Sequence, residues 1–334
     1  MKPNIAFVTG GYSGESVISY KSAVTIENHL DRGKYNVYTI DITTNGWFYK
    51  DGNETKEVDR NDFSIIVNNT KITFDAVLIG IHGTPGEDGK LQGYFDLMNL
   101  PYTSCDAATS ALTFNKRYTV AVAAFSGINV ARSAILIKNQ FESADEAVKN
   151  LQFPVFVKPN NGGSSIGMSK VNQHSEELGK AVAKAFNEDD QVLVEEFIKG
   201  REFTIGVFKS NNKIITLPMT EVISKKDFFD YEAKYTAGMA SEITPAEVEE
   251  SIAEQVRSTA RKVYKIFNCR GIVRIDFIYD DGKKEPFLLE INTVPGQSEA
   301  SIVPKQVKAM GWTLKDFYSA LINEALLQKQ EGRN

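Results

Sequence analysis

Residues 271–292 read GIVRIDFIYDDGKKEPFLLEIN, two runs of strand-forming residues around a turn that contains Asp281-Gly282. Side chains alternate across a strand, so Arg274 and Asp276 share one face of the first run and Glu290 and Asn292 share one face of the second. Pairing about the turn brings these four side chains together, while Ile275, Phe277, Leu289 and Ile291 bury the opposite face. Asp, Glu and Asn supply oxygen ligands, the type that holds Mg2+ beside substrate phosphates. A solvated hairpin with a cross-strand Arg274–Glu290 ion pair is the reading of the same pattern that needs no ligand.

The preceding segments supply β runs and a glycine-rich turn. In FPVFVKPNNGGSSIGMS, residues 153–169, Lys158 ends a strand and is followed by Gly162, Gly163, Ser164, Ser165 and Gly167. Such a loop can turn backbone N–H groups and hydroxyls toward phosphate oxygens, with Lys158 as the cationic partner. The same stretch matches the GxSxG nucleophile elbow at Ser165, but the only later histidine is His174, and residues 166–173 contain no acid to complete a triad. QVLVEEFI and REFTIGVF, separated by Lys199-Gly200, read as adjacent strands, and KKDFFDYEAKYTAGMAS has no clean period and reads as a loop. Thr244 as N-cap, Pro245 and Glu247 then announce a long helix, and an amphipathic helix closes the chain.

The first hundred residues alternate strand and helix: NIAFVTGG, ESVISYKSAVTIENHL, YNVYTID and ITFDAVLIGIHG begin a βαβ arrangement. Two turns there carry polar groups, GGYSGES with Glu15 at a helix start and HGTPGEDGKLQG with His82, Glu87 and Asp88. Glu15 as a helix-capping acid and His82 as a structural histidine are the plain readings of each. DAATSALTFNKRYTVAVAAFSG reads as one long helical segment. The sum is an α/β and α+β chain of three units, 1–104, 105–197 and 198–334.

The 334-residue length fits several domains, and 43 acidic against 38 basic residues give a net charge of -5, which argues against nucleic-acid or anionic-membrane partners. No run is long enough to cross a membrane or serve as a signal core. Cys105 and Cys269 read as buried free thiols, and a cytoplasmic location is expected. With three histidines and no CxxC or HExxH, any metal is expected to be hard and oxygen-bound.

In order along the chain, GGYSGESVIS, HGTPGEDGKLQG, FPVFVKPNNGGSSIGMSKV, DYEAKY, RIDF and LLEINTVPG followed by SIVP resemble the D-alanine–D-alanine ligase family of the ATP-grasp superfamily. The resemblance covers nearly the whole chain. It implies a three-domain ATP-grasp fold with an amino-terminal open α/β domain, and ATP-driven joining of two D-alanine molecules for peptidoglycan through a D-alanyl phosphate. It implies that Lys116, Lys158, Ser165 and Lys234 meet the nucleotide phosphates, that Glu195, Phe197, Ile198 and Leu289 surround the adenine, and that Glu202 meets the ribose. Asp276, Glu290 and Asn292 would hold two Mg2+ or Mn2+, with Arg274 and the Gly296 N–H on the oxyanion. Glu15, linked to Ser164 and Tyr235 with His82 nearby, would take the first D-alanine, and Ser301 the carboxylate of the second. Tyr235 stands where D-lactate-using relatives carry Phe, which favours an amine acceptor.

Three departures from the family pattern stand out: Ser16 and Val17 after Glu15, Glu196 where Lys is frequent, and Gln297 and Ser298 beside the second substrate pocket. Family likeness also implies a homodimer, with Ile18, Val24 and Ile26 available for a symmetric contact or for core packing. A related carboxylate–amine ligase with another acceptor, and a nucleotide-binding regulator without turnover, are the competing readings.

Overall fold

The computed structural model describes residues 2–51, 54–141, 143–163, 165–174, 176–224 and 240–331. Strand β1 (Asn4–Gly10) pairs in parallel with β2 (Asn36–Thr43) and β7 (Ala76–Ile79), and β3 (Gly46–Asp51) and β4 (Glu54–Glu57) extend this sheet in the order β4-β3-β2-β1-β7. Successive β1 side chains pack on opposite faces, Ile5 and Phe7 on one, Ala6 and Val8 on the other. That is the signature of a sheet buried on both sides. Helix α1 (Ser16–His29) covers the first face with Ala23 and Ile26, and α2 (Lys90–Leu97) covers the second with Leu91 and Phe95. Ile26 is 2% exposed and belongs to the core, whereas Val24 is 61% exposed. The expected run in 72–83 is interrupted, since β5 (Ile65–Val67) and β6 (Thr70–Ile72) form a separate two-stranded ribbon before β7.

The helical segment expected over 106–127 is two helices, α3 (Ala107–Phe114) and α4 (Lys116–Phe125). Asn115 divides them: its backbone is extended, which ends α3, and its side chain accepts the Tyr118 N–H at 3.1 Å, which caps α4. Lys116 thereby becomes the first residue of a helix. Beyond it β8 (Ser133–Ile137), β9 (Val155–Pro159), β10 (Ser169–Val171) and β11 (Gln191–Glu196) form a four-stranded sheet in the order β10-β9-β11-β8, backed by α5 (Ala144–Val148) and α6 (Glu176–Ala185).

A six-stranded sheet follows. It runs β15 (Ala240–Ile243), β14 (Thr220–Ser224), β12 (Arg201–Ser210), β16 (Val273–Asp280), β17 (Glu285–Asn292), with β13 (Lys213–Thr216) beside β12. The expectation that QVLVEEFI and REFTIGVF are sheet neighbours fails, because β11 and β12 lie in different sheets. Lys199-Gly200 carries the chain across. A Cβ on Gly200 would lie 2.0 Å from the Tyr279 carbonyl oxygen, so the crossing strand passes too close to β16 for any side chain.

The expected helix start at Thr244 is also wrong. The Thr244–Pro245 peptide is cis, Thr244 Oγ1 lies 2.6 Å from Thr220 Oγ1, and the Ala246 N–H donates to Met219 O at 2.7 Å. The sheet edge claims these groups, and helix α7 (Glu250–Ile266) begins only after them. Helices α8 (Ile302–Ala309) and α9 (Leu314–Glu331) complete the chain. Phe317, Tyr318 and Ile322 of α9 share a core with Ile5 and Phe7 of the first sheet and Phe208 of β12, so the last helix fastens the two ends of the chain together. Cys105 and Cys269 are free and buried. Among the described residues, no helix is long and apolar enough to cross a membrane.

Candidate active site

The hairpin places Arg274 opposite Asn292 and Asp276 opposite Glu290. Arg274 donates to both oxygens of Asp276, Nε to Oδ1 at 2.9 Å and Nη2 to Oδ2 at 2.7 Å, and Nη2 lies 3.7 Å from Glu290 Oε1. The Asn292 amide approaches both carboxylates, 3.2 Å from Asp276 Oδ2 and 3.4 Å from Glu290 Oε1. Burial opposes the Arg274 charge, but Asp276 and Glu290 hold its pKa above the usual guanidinium range. The cross-strand pair with Glu290 is thus secondary to the bidentate bond with Asp276. Thr204 on β12, which the sequence reading did not single out, donates its hydroxyl to Asp276 Oδ1.

A register shift interrupts the hairpin after Asp276: Phe277 pairs with Leu288, and Leu289 has no partner. This bulge turns Leu288 into the core with Phe277 and Ile291 and leaves Leu289 half-buried outside it. Strict alternation had placed Leu289 in the core. The bulge keeps it out of that core.

In the four-stranded sheet Lys158 Nζ, at the end of β9, donates to Glu195 Oε2 on β11 at 2.5 Å, and both side chains are largely buried. Burial disfavours the ammonium, yet Glu195, then Glu290 and Glu202, raise its pKa. The four-stranded and six-stranded sheets therefore face one another across a charged cleft. Glu202 lies on β12 opposite Ile278, and Phe197 meets Phe156 at a tilt, 5.9 Å between ring centres, with Lys170 Nζ 4.5 Å from the Phe197 ring centre. Ile198 follows it in the segment that joins the sheets. Glu196 points away and binds the Gln152 N–H at 2.9 Å and Arg132 at 3.5 Å.

The glycine-rich turn connects the antiparallel strands β9 and β10, so the strand-to-helix turn of a nucleophile elbow is absent. Ser165 sits there with φ +59°, and Lys116 Nζ donates to Gly162 O at 2.6 Å. Ser164, Lys234 and Tyr235 lie outside the described residues.

The second cluster joins four distant segments. Glu15 occupies the N-cap position of α1, but its side chain does not cap the helix. Its carboxylate instead lies between two glycines: a Cβ on Gly83 would fall 2.5 Å from Oε2, and one on Gly163 2.7 Å from Oε1. Beside it Glu87 accepts the Gly83 N–H at 2.7 Å and the Val294 N–H at 3.2 Å. Burial and the neighbouring Glu15 push the Glu87 pKa up to about 8, against those donors and Arg274. His82 is buried, with Nε2 3.0 Å from Ser22 Oγ, and burial drives its pKa down to about 4. Ser22 Oγ also accepts the Gln297 N–H at 3.1 Å, which ties His82 to the segment after β17.

Gln297 turns its side chain inward, where the Tyr318 hydroxyl donates to Oε1 at 3.2 Å. Ser298 Oγ lies 2.7 Å from Ser301 Oγ at the start of α8, and Gly296 is held against Ser301, whose Oγ would be 3.0 Å from an added Cβ. Ser22 and Thr204 are site residues that the sequence reading missed, and neither carried a signal there. Glu87 was named as an acid in a glycine-rich turn after a buried strand but was given no role.

Models of the D-ala D-ala ligase amino terminus and carboxy terminus match residues 4–105 and 118–323. The chain is 44% identical to a D-alanine–D-alanine ligase of Azobacteroides pseudotrichonymphae genomovar. CFP2 over 321 residues, 96% of this chain and 98% of the relative. Among solved structures it resembles the VanG D-Ala:D-Ser ligase of Enterococcus faecalis, with TM-score 0.88, 29% identity, and coverage of 97% of this chain and 100% of that one. It also resembles the D-alanine–D-alanine ligase of Bacillus anthracis complexed with ATP, with TM-score 0.79, 26% identity and 99% coverage of each chain.

Proposed function

This chain belongs to the D-alanine–D-alanine ligase family, and on that premise we propose how its own residues divide the work of an ATP-dependent ligase that makes D-alanyl-D-alanine. One observation carries the reading: Glu87 lies within electrostatic reach of both the Glu15 carboxylate and the Arg274 guanidinium, beside a cleft across which Lys158 feels Glu195, Glu290 and Glu202. An anion and a cation so placed suit the ammonium and carboxylate of an amino acid, and Lys158 suits a triphosphate.

Glu15 receives the ammonium of the first D-alanine, with Ser164 and Tyr235 assigned beside it by family likeness and His82 shaping the wall as a neutral ring. Lys116, Lys158 and Ser165 bind the nucleotide phosphates, and Lys234 is assigned to the γ-phosphate. Glu195, Phe197, Ile198 and Leu289 receive the adenine and Glu202 the ribose. Glu195 now spends its charge on Lys158, so nucleotide entry exchanges that ion pair for phosphate contacts. Ser301 orients the carboxylate of the second D-alanine. Arg274 and the Gly296 N–H steady the charge that builds as the amine attacks the acyl phosphate.

Asp276, Glu290 and Asn292 fit a divalent cation by donor chemistry. Asp276 and Glu290 pair across the hairpin, the Asn292 Nδ2 donates to Asp276 Oδ2 at 3.2 Å and to Glu290 Oε1 at 3.4 Å, and rotation of that amide would add its oxygen to the two carboxylates. Mg2+ or Mn2+ bound there supplies charge neutralisation for the transferring phosphoryl group. The three sheets support the division 1–104, 105–197 and 198–334, with α9 returning to the first. A homodimer is supported by Val17, Tyr20 and Val24, which are 57%, 41% and 61% exposed along one face of α1. Net charge of -5 supports small-molecule substrates over nucleic acid or an anionic membrane, and the free, buried Cys105 and Cys269 support a cytoplasmic location.

The test is phosphate release by the purified chain with ATP, Mg2+ and single amino acids, with the product identified by mass. Release that depends on D-alanine and yields D-alanyl-D-alanine is expected. Dependence on a different amino acid would move the reading to another carboxylate–amine ligase, and no release with any would leave a nucleotide-binding regulator.

A further inference from the structure

Strand β12 changes neighbours midway. It pairs with β14 at Glu202–Thr204 and with β13 from Val207 onward, while Leu217, Pro218 and Met219 lead from one partner to the other. At the gap the backbone needs new hydrogen-bond partners. Gln306 of α8, fully buried, fills it: Oε1 accepts the Gly206 N–H at 2.9 Å and Nε2 donates to Thr204 O at 2.9 Å, as a strand peptide would. The second Nε2 hydrogen goes to Thr220 Oγ1 at 3.0 Å, and Thr220 Oγ1 lies 2.6 Å from Thr244 Oγ1. A Cβ on Gly206 would come within 2.9 Å of Gln306 Oε1, so the amide is seated directly on the strand.

This side chain and the helix that carries it lead to three parts of the site. Through Thr204, whose hydroxyl donates to Asp276 Oδ1, it reaches the cation-binding patch. Through α8 it reaches Ser301, one residue before that helix begins. Through Thr220 and Thr244 it holds the base of the strands β14 and β15, which flank 225–239. We infer that Gln306 is a positioning residue that sets the acceptor-side helix against the metal-bearing sheet, and that Thr204 transmits that setting to Asp276. The inference rests on the ligase reading above. A hydrophobic residue of equal size would fill the volume but leave the Gly206 N–H and the Thr204 carbonyl unpaired and let α8 shift relative to β12.

The experiment compares Gln306→Leu, Thr204→Val and Thr204→Ser in the full-length chain. Mn2+ binding is measured by electron paramagnetic resonance in the presence of ADP, and the KM values for the two D-alanine sites are resolved from initial rates. Thr204→Val is expected to weaken Mn2+ about 10-fold or more, as loss of a ligand-orienting hydrogen bond does, and Thr204→Ser to restore it. Gln306→Leu is expected to raise the KM of the second D-alanine several-fold and to weaken Mn2+, with the KM of the first D-alanine unchanged. Wild-type Mn2+ affinity in Thr204→Val, or equal rises in both D-alanine KM values in Gln306→Leu, would overturn the inference. If Gln306→Leu does not fold, the Thr204 pair decides alone. Absence of dipeptide synthesis or Mn2+ binding in the wild-type chain would instead refute the ligase reading.

Discussion

The β16–β17 hairpin and the Glu15 cluster carry comparable chemistry and are built in opposite ways. The hairpin gathers Arg274, Asp276, Glu290 and Asn292 from within 22 consecutive residues, by alternation and register. The Glu15 cluster draws on α1, on the turns after β7 and β9, and on the segment after β17. Local periodicity makes the first, so its parts tolerate only changes that preserve pairing. Long-range packing makes the second, so it is sensitive to small volumes placed far from the charges they disturb.

The largest effect is expected in the hairpin. Glu290→Gln should lower turnover about 10²–10³-fold by leaving phosphoryl charge uncompensated while the fold persists. Asp276→Ala should abolish turnover as well and, by stripping Arg274 of its bidentate partner, also lose about 3–5 kcal/mol of stability in urea unfolding. Wild-type rates in either variant would break the metal assignment.

Next comes the remote cluster. Gly163→Ala adds one carbon 2.7 Å from Glu15 Oε1 and should cost about 10²-fold in kcat/KM for D-alanine through misplacement of that carboxylate, with Tm nearly unchanged. An unaltered kcat/KM would show that Glu15 does not hold the substrate.

The bulge separates a core leucine from its half-buried neighbour. Leu288→Ala, in the core, should cost about 2–5 kcal/mol, whereas Leu289→Ala should cost far less but raise the KM for ATP. Equal destabilisation by both would mean that the bulge does not re-aim Leu289.

The smallest effect is a pH dependence. Glu87 has a folded pKa raised from 4.5 to about 8, so the folded state holds its proton longer than the unfolded one. Its contribution to stability is full below the unfolded value and is lost as pH rises from about 4.5 through about 8. His82, lowered from 6.5 to about 4, contributes above its unfolded value and loses that contribution as pH falls from about 6.5 through about 4. Glu87→Gln should therefore flatten the fall in Tm between pH 5 and pH 8 that the carboxyl causes; an unchanged slope in thermal melts would locate that dependence elsewhere.

Much of this molecule was legible in the sequence where the governing interaction is local. Alternation set the shared faces of Arg274 with Asp276 and of Glu290 with Asn292, glycine-rich turns marked the loops that meet at Glu15, and the scarcity of histidine and cysteine pointed to oxygen chemistry. The errors fell where a neighbour distant in sequence overrode a local signal. Thr244 and Pro245 carry a helix-start pattern, but the edge of β14 takes their hydrogen bonds first. QVLVEEFI and REFTIGVF look like a hairpin, but Gly200 lets the chain leave one sheet for another. Glu15 could cap a helix, but the space between Gly83 and Gly163 holds its carboxylate. The sequence by itself determined the chemical inventory and the shared faces of Arg274 with Asp276 and of Glu290 with Asn292, because these depend on residue type and a period of two. Only the tertiary structure decided which loops meet, where the hairpin bulges, and that a buried glutamine stands in for a missing strand, because burial and hydrogen-bond satisfaction are settled by groups far apart along the chain.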